Sequence, residues 1–119
     1  MIRSLLIALL LASPASAQTR VIDGDTIHHE GERIRIWGLD CPELRQPGGP
    51  EAKKALQNLL RGATVQLKRR GRDKYGRTVA IVFSGHPRGF QRDVARRMIA
   101  SGNCVEFCRY SQGKYGTCR

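Results

Sequence analysis

The sequence predicts an α+β fold in which five short strands form a barrel and two helices pack on it. Five segments alternate apolar and polar residues as strands do, and an amphipathic helical pattern separates the third segment from the fourth. A second helical pattern follows the fifth segment. This order of elements is typical of the OB-fold, a small closed β-barrel that often binds oligonucleotides.

The first seventeen residues have the pattern of a secretory signal peptide. Arg3 provides a positive charge, an apolar run covers residues 5–12, and residues 15–17 form an A-x-A cleavage site. The apolar run is well short of the roughly 20 residues that span a bilayer, so a membrane anchor is the weaker alternative. We expect export to the periplasm or the medium. One domain, residues 18–119, then remains, with a single modest core.

The first half of this domain is predicted to be a meander of three strands. A short strand leads into VIDGDTI, where the Asp-Gly-Asp sequence kinks the chain and turns Asp25 outward. His28 and His29 continue the strand pattern. Because neighbours on a strand point to opposite faces, we interpret them as strand surface rather than as a pair of metal ligands. A hairpin turn at residues 30–32 then leads into the third strand, RIRIWGL.

The second half is predicted to contain two helices and two strands. Pro50 opens the first helix, whose apolar residues fall on one face, and Gly62 ends it. The remaining predicted bounds are strands at 64–68 and 78–83, a helix at 90–101 and a tail without helical period at about 104–119.

The chain is strongly basic. Its 21 Lys and Arg residues against 10 Asp and Glu residues give a formal net charge of +11. Such an excess favours a polyanionic partner, although nucleic acid, an anionic membrane surface and acidic polysaccharide all qualify. The loop KRRGRDKYGR, residues 68–77, interleaves basic residues with Tyr75. This mixture suits a nucleic-acid strand, whose phosphates attract cations and whose bases stack on aromatic rings.

All four cysteines lie in the part of the chain that we expect to be exported. An oxidising compartment favours two disulfides. Metal ligation by Cys104 and Cys108 is the weaker alternative, because their spacing matches no zinc pattern and the three histidines lie elsewhere. We favour the pairs Cys41 with Cys104 and Cys108 with Cys118, although the sequence alone leaves all three pairings open.

A set of acidic and arginine residues provides candidate chemistry. The segment RIRIWGLDCPE, residues 33–43, delivers one arginine and two carboxylates to the rim of the sheet, where a rigid scaffold can orient them. Carboxylate oxygens can hold a hard cation, and guanidinium groups bind phosphate oxygens in pairs. The set therefore suits a metal-assisted attack on a phosphodiester. Its members are Asp25, Arg35, Asp40, Glu43 and Arg77.

Four stretches carry a family resemblance: VIDGDT, RIRIWGLDCPE, GGPEA and DKYGR. Their order and approximate spacing resemble those of the thermonuclease family, the staphylococcal nuclease-like domains, over about residues 20–105. The resemblance implies an OB-fold nuclease that uses Ca²⁺ to hydrolyse DNA and RNA. We expect single-stranded or frayed substrates, a monomer and no stable association with a membrane.

The resemblance also implies a role for each candidate residue. Asp25, Asp40 and the backbone carbonyl of Cys41 are the implied calcium ligands. The other implied roles are activation or orientation of water by Glu43 and phosphate binding by Arg35 and Arg77.

Further candidates lie beside this set. We expect Lys74, Tyr75 and Tyr110 to contact a terminal phosphate or a nucleotide, although such residues are also common in ordinary loops. We interpret Trp37 as a packing residue rather than as a platform for base stacking.

Two other functions are compatible with the same features. A non-catalytic nucleic-acid-binding module keeps the barrel and loses the chemistry. A cationic secreted protein that acts on membranes or anionic polymers predicts no dependence on divalent ions. The first strand is also short, because only residues 18–20 precede VIDGDT after cleavage. We expect weaker barrel closure there, with the disulfides compensating for the shortened ends.

Overall fold

The structure is a computed structural model that describes residues 18–86 and 88–119. The predicted signal peptide, residues 1–17, lies outside the described residues. The strands are β1 (Thr19–Asp23), β2 (Thr26–His29), β3 (Glu32–Ile36), β4 (Leu39–Asp40), β5 (Thr64–Arg72), β6 (Thr78–Gly85), β7 (Gln91–Asp93) and β8 (Val105–Glu106). The helices are α1 (Gly49–Leu60), α2 (Val94–Ala100) and α3 (Cys108–Ser111).

The main sheet has the strand order β1-β2-β3-β6-β5. The first three strands pair antiparallel, β3 pairs parallel with β6, and β6 pairs antiparallel with β5. The short strand β7 adds to β6, and β4 and β8 form a separate small ladder. This mixed sheet with helices confirms the predicted α+β fold of the OB type.

The barrel is not closed. In the part of the chain that the structure describes, β1 pairs with β2 and has no ladder with β5. The pairing of β1 begins at Thr19, opposite His29. The strand β1 has only five residues and pairs with β2, which agrees with the weak closure that the sequence predicts.

The core lies between the meander, α1, β6 and α2. Its fully buried members include Ile27, Ile34, Ile36, Leu56, Val82 and Met98. The helix α1 agrees with the prediction, with Ala52, Leu56 and Leu60 on its buried face. The prediction that His29 lies on the strand surface is wrong. His29 is buried, and its Nδ1 is 2.7 Å from the Thr19 hydroxyl oxygen.

Three predicted bounds are wrong. Strand β5 continues to Arg72, so most of the basic segment predicted as a loop is strand paired with β6. The second helix starts at Val94 rather than near residue 90, because Gln91–Asp93 adds a strand to β6. Asp93 then caps the helix by accepting a hydrogen bond from the Arg96 amide. The tail, predicted to be irregular, contains α3.

Both favoured disulfides are confirmed. Cys41 is bonded to Cys104, and Cys108 is bonded to Cys118. The first links the end of β4 to the segment before β8, and the second closes the tail on itself. Among the described residues, no helix is long and apolar enough to cross a membrane.

The buried carboxylate of Glu106 organises the C-terminal tail. It accepts hydrogen bonds from the Ser111 hydroxyl, from the Tyr115 amide at 3.0 Å, and from the amide and hydroxyl of Thr117 at 3.0 and 2.9 Å. Burial alone would raise the pKa of Glu106, but the hydrogen bonds from Ser111, Thr117 and Tyr115 outweigh it and lower the pKa to about 2. The tail therefore has a fixed position beside the sheet.

Candidate functional site

A groove of about 690 Å³ lies between the end of β3, the β5–β6 hairpin and the C-terminal tail. Its lining contains five of the residues that the sequence predicts for the site, namely Arg35, Lys74, Tyr75, Arg77 and Tyr110. The groove thus brings both predicted phosphate-binding arginines together with the predicted nucleotide contacts.

Arg35 is held from two sides at the edge of this groove. Its Nη1 donates to the carbonyl of Ile36 at 2.8 Å, and its Nη2 lies 3.5 Å from Oδ2 of Asp25. The Arg35 side chain is only 15% exposed, and its Cζ lies 6.0 Å from the centroid of the Phe107 ring. The guanidinium is therefore fixed in direction before any ligand binds.

Arg77 is oriented by Asp73, a residue whose role was not predicted. Arg77 Nε donates to Asp73 Oδ2 at 2.6 Å, while Asp73 Oδ1 accepts the amides of Tyr75 and Arg77 at 2.9 and 3.0 Å. Burial alone would raise the pKa of Asp73, but these hydrogen bonds outweigh it and hold the pKa below its ordinary value. Nε is engaged, and within the described residues the two terminal nitrogens of Arg77 have no hydrogen-bond partner, so they can bind a ligand.

Asp25 connects the β1–β2 turn to the segment that follows β4. Its Oδ2 accepts the Cys41 amide at 3.1 Å, and its Oδ1 accepts the Thr26 hydroxyl at 3.1 Å. Gly24 permits this approach, because a Cβ there would lie 2.9 Å from Cys41 Cβ and 2.8 Å from Ala52 Cβ. The turn therefore packs directly against the Cys41–Cys104 disulfide and α1.

Burial raises the pKa of Asp25 to about 6, and the neighbouring Arg35 guanidinium only partly opposes it. The side chain is 13% exposed. Arg35 compensates the negative charge of this carboxylate only in part, so a further cation beside it would stabilise the ionised form.

The remaining predicted residues lie outside the basic groove. Asp40 is exposed on β4, and Asp40 and Cys41 line a second, shallower depression together with Cys104 and Val105. Glu43 is exposed, and its amide donates to the Gln46 side chain at 2.9 Å. The structure therefore brings Asp25 and Arg35 into contact and links them to Cys41 by one hydrogen bond. It gives Glu43 no such link within the described residues.

A comparison with protein families identifies the family of the chain. The sequence model described as staphylococcal nuclease homologue matches residues 33–117. The chain belongs to this family. Asp25 and Cys118 lie outside the matched residues, whereas the other predicted site residues lie within them. Family membership thus confirms the resemblance carried by the four sequence stretches.

Individual relatives of this staphylococcal nuclease homologue include two named nucleases. Thermonuclease of Staphylococcus intermedius is 42% identical over 78 residues, which cover 56% of this chain and 46% of that protein. Micrococcal nuclease of Shigella flexneri is 32% identical over 87 residues, covering 66% of this chain and 50% of that protein.

The name of a third relative does not mention a nuclease. Succinoglycan biosynthesis protein ExoI of Rhizobium meliloti (strain 1021) is 36% identical over 117 residues, which cover 89% of this chain and 59% of that protein. The chain thus spans about half the length of the curated relatives it matches.

The residues predicted as calcium ligands have the donor chemistry that suits this ion. The predicted set contains only hard oxygen ligands, the carboxylates of Asp25 and Asp40 and the Cys41 carbonyl, which are the donors that calcium prefers. Asp25 also needs positive charge, as its raised pKa indicates. Among the described residues, Glu106, Cys108 and Cys118 also cluster, but their sulfur atoms form a disulfide and are not available as thiolate ligands.

Trp37 packs as predicted. It contacts the core and meets Tyr115 edge to face, with the ring centroids 6.2 Å apart. The Arg70 guanidinium lies over the Trp37 ring.

The sequence does not predict three residues of the groove, Arg70, Asp73 and Arg109. The Asp-x-x-Gly turn in DKYGR could have indicated Asp73, whereas the contributions of Arg70 and Arg109 depend on distant parts of the chain.

Proposed function

We propose that this protein is an exported, calcium-dependent nuclease that hydrolyses phosphodiester bonds of DNA and RNA by water attack. We expect it to prefer single-stranded or frayed substrates. The observation that carries this proposal is the pair of preorganised arginines in one groove, with Arg35 in contact with the half-buried carboxylate of Asp25. The signal-peptide pattern and the two disulfides support export.

Arg35 and Arg77 bind the scissile phosphate in this proposal. Charge grows on the phosphate oxygens as water attacks, and a guanidinium remains protonated while it presents a planar pair of donors. Both side chains are already held by carboxylates, Asp25 and Asp73, so little reorganisation is needed. Loss of one such donor lowers the rate on the order of 10²- to 10³-fold.

The carboxylates would supply the calcium-binding part of the site. Asp25, Asp40 and the Cys41 carbonyl would hold calcium, which when bound supplies positive charge to the substrate and the attacking water. Glu43 activates or orients that water. Its exposed position leaves it accessible to solvent and substrate.

The test measures degradation of single-stranded DNA and RNA by the purified, oxidised protein in millimolar calcium, with and without a chelator. We compare Glu43→Gln with Glu51→Gln, which removes the same charge from an exposed position on α1. The proposal expects calcium-dependent cleavage that falls sharply in the first variant and is retained in the second. Cleavage that survives the chelator would contradict the calcium requirement.

A non-catalytic binding module is the second candidate. The observation that favours it is the separation of the basic groove from Asp40 and Glu43, which are absent from its described lining. If the protein is such a module, we expect the folded protein to bind single-stranded DNA or RNA tightly and to cleave neither at any calcium concentration.

A further inference from the structure

The groove is larger and more basic than one phosphate requires. Six cationic side chains line it, and Asp73 is the only acidic side chain among its described lining residues. Asp73 is already bonded to Arg77. The lining includes three cations with no previously predicted role, Arg70, Arg72 and Arg109.

Arg70 reaches the groove because it is the extra residue of a β-bulge. The residues on either side of it pair with β6, whereas Arg70 has no partner there. Gly71 follows with φ 142°, a conformation that favours glycine. A bulge changes the direction in which a side chain leaves its strand. Here the Arg70 Cζ lies 4.5 Å from the centroid of the Trp37 ring.

This contact prepares Arg70 to bind an anion. A guanidinium that lies on an aromatic ring loses less conformational freedom on binding and keeps N–H donors for a ligand. Within the described part of the chain, no carboxylate lies within 4.0 Å of Arg70, in contrast to Arg35 and Arg77. Arg70 is thus a fixed cation whose charge is uncompensated.

We propose that Arg70, supported by Trp37, forms with Arg109 a second phosphate subsite in the groove. Its ligand is the phosphate of a neighbouring nucleotide in the single-stranded DNA or RNA that Arg35 and Arg77 bind. The subsite rests on the binding of nucleic acid in this groove, which is part of the proposed function. Tyr75 and Tyr110, which are 72% and 54% exposed, provide stacking surfaces for unpaired bases in the same groove.

A second basic surface provides a matched control. Arg20, His28 and Arg33 lie opposite one another across β1, β2 and β3, and line a separate depression with Lys53. This depression has no Phe, Tyr or Trp in its described lining. Arg33→Ala therefore removes the same charge as Arg70→Ala without changing the groove.

The experiment titrates the oxidised protein in chelator with labelled oligothymidylates of increasing length, and follows anisotropy together with the fluorescence of Trp37. Trp37 is the single tryptophan of the chain, so its signal reports on this subsite. For longer oligonucleotides, Arg70→Ala should weaken binding about tenfold or more. It should also reduce the slope of log affinity against log salt by about 0.7. The affinity for thymidine 5′-monophosphate should not change.

Arg33→Ala should retain the increase in affinity with length. Arg70→Lys, which keeps the charge but loses the planar donors, should fall between the wild type and Arg70→Ala. Equal affinities for Arg70→Ala and Arg33→Ala at every length would overturn the subsite. If calcium-dependent cleavage persists in that case, the nuclease function stands. Length-dependent binding that requires Arg70, without cleavage, would keep the subsite and refute the nuclease.

Discussion

Replacement of Glu106 by glutamine should release the C-terminal tail. Each carboxylate oxygen accepts two hydrogen bonds, so an amide nitrogen in place of one oxygen would face two donors. Hydrogen bonds to charged groups contribute roughly 1.5 to 3 kcal/mol each. The lowering of the Glu106 pKa from 4.5 to about 2 corresponds to about 3 kcal/mol. We therefore expect Glu106→Gln to lower the free energy of unfolding by about 3 kcal/mol.

The pH dependence gives this prediction a second measurement. Because the folded-state pKa is depressed, the stabilisation by Glu106 is present above pH 4.5 and is lost as the pH falls through about 2. Urea unfolding of the wild type and Glu106→Gln should differ most above pH 4.5 and converge towards pH 2. Glu51→Gln, on the surface of α1, serves as control. A constant difference across this range, or none at all, would refute the assigned role of the carboxylate.

Three further predictions concern the calcium side of the site and the two disulfides. Since the pKa of Asp25 is about 6, protons should compete with calcium below that value, and the calcium concentration for half-maximal cleavage should rise as the pH falls through 6. Gly24→Ala should lower the free energy of unfolding by about 1 to 3 kcal/mol, because the added Cβ would collide with Cys41 and Ala52. The same substitution should raise the calcium concentration needed for cleavage. An unchanged urea midpoint would contradict this packing. Excess reductant should lower the melting temperature markedly, because each disulfide stabilises the folded protein by roughly 3 to 4 kcal/mol in the chain-entropy estimate. An unchanged melting temperature would contradict the idea that the disulfides compensate for the shortened ends.

The sequence predicts best what depends on neighbouring residues. Strand alternation locates β3, and the Pro50 and Gly62 signals locate α1. The predicted start of α2 is wrong because residues 90–93 continue the helical pattern, whereas residues 91–93 pair with β6 as a strand. Asp93 could have marked the boundary, since aspartate is a preferred N-cap.

Features that depend on distant contacts were missed. Nothing near Glu106 in the sequence shows that its carboxylate is buried, because its donors come from residues 111–117. The direction of Arg70 likewise depends on a bulge that only the pairing with β6 reveals. Gly71 is the one local sign of that bulge, since glycine in a strand often marks one.

The tail links the stability of the fold to the shape of the groove. The Phe107 amide donates to the Gly38 carbonyl at 2.8 Å, and the Tyr115 hydroxyl donates to Asp93 at 2.8 Å. These hydrogen bonds connect the tail to the segment after β3 and to the N-terminus of α2. The same segment supplies Phe107 to the groove wall. Substitutions that loosen the tail should therefore weaken stability and substrate binding together. Arg70 is exposed on a bulge outside the core, so its loss should weaken substrate binding while leaving stability nearly unchanged.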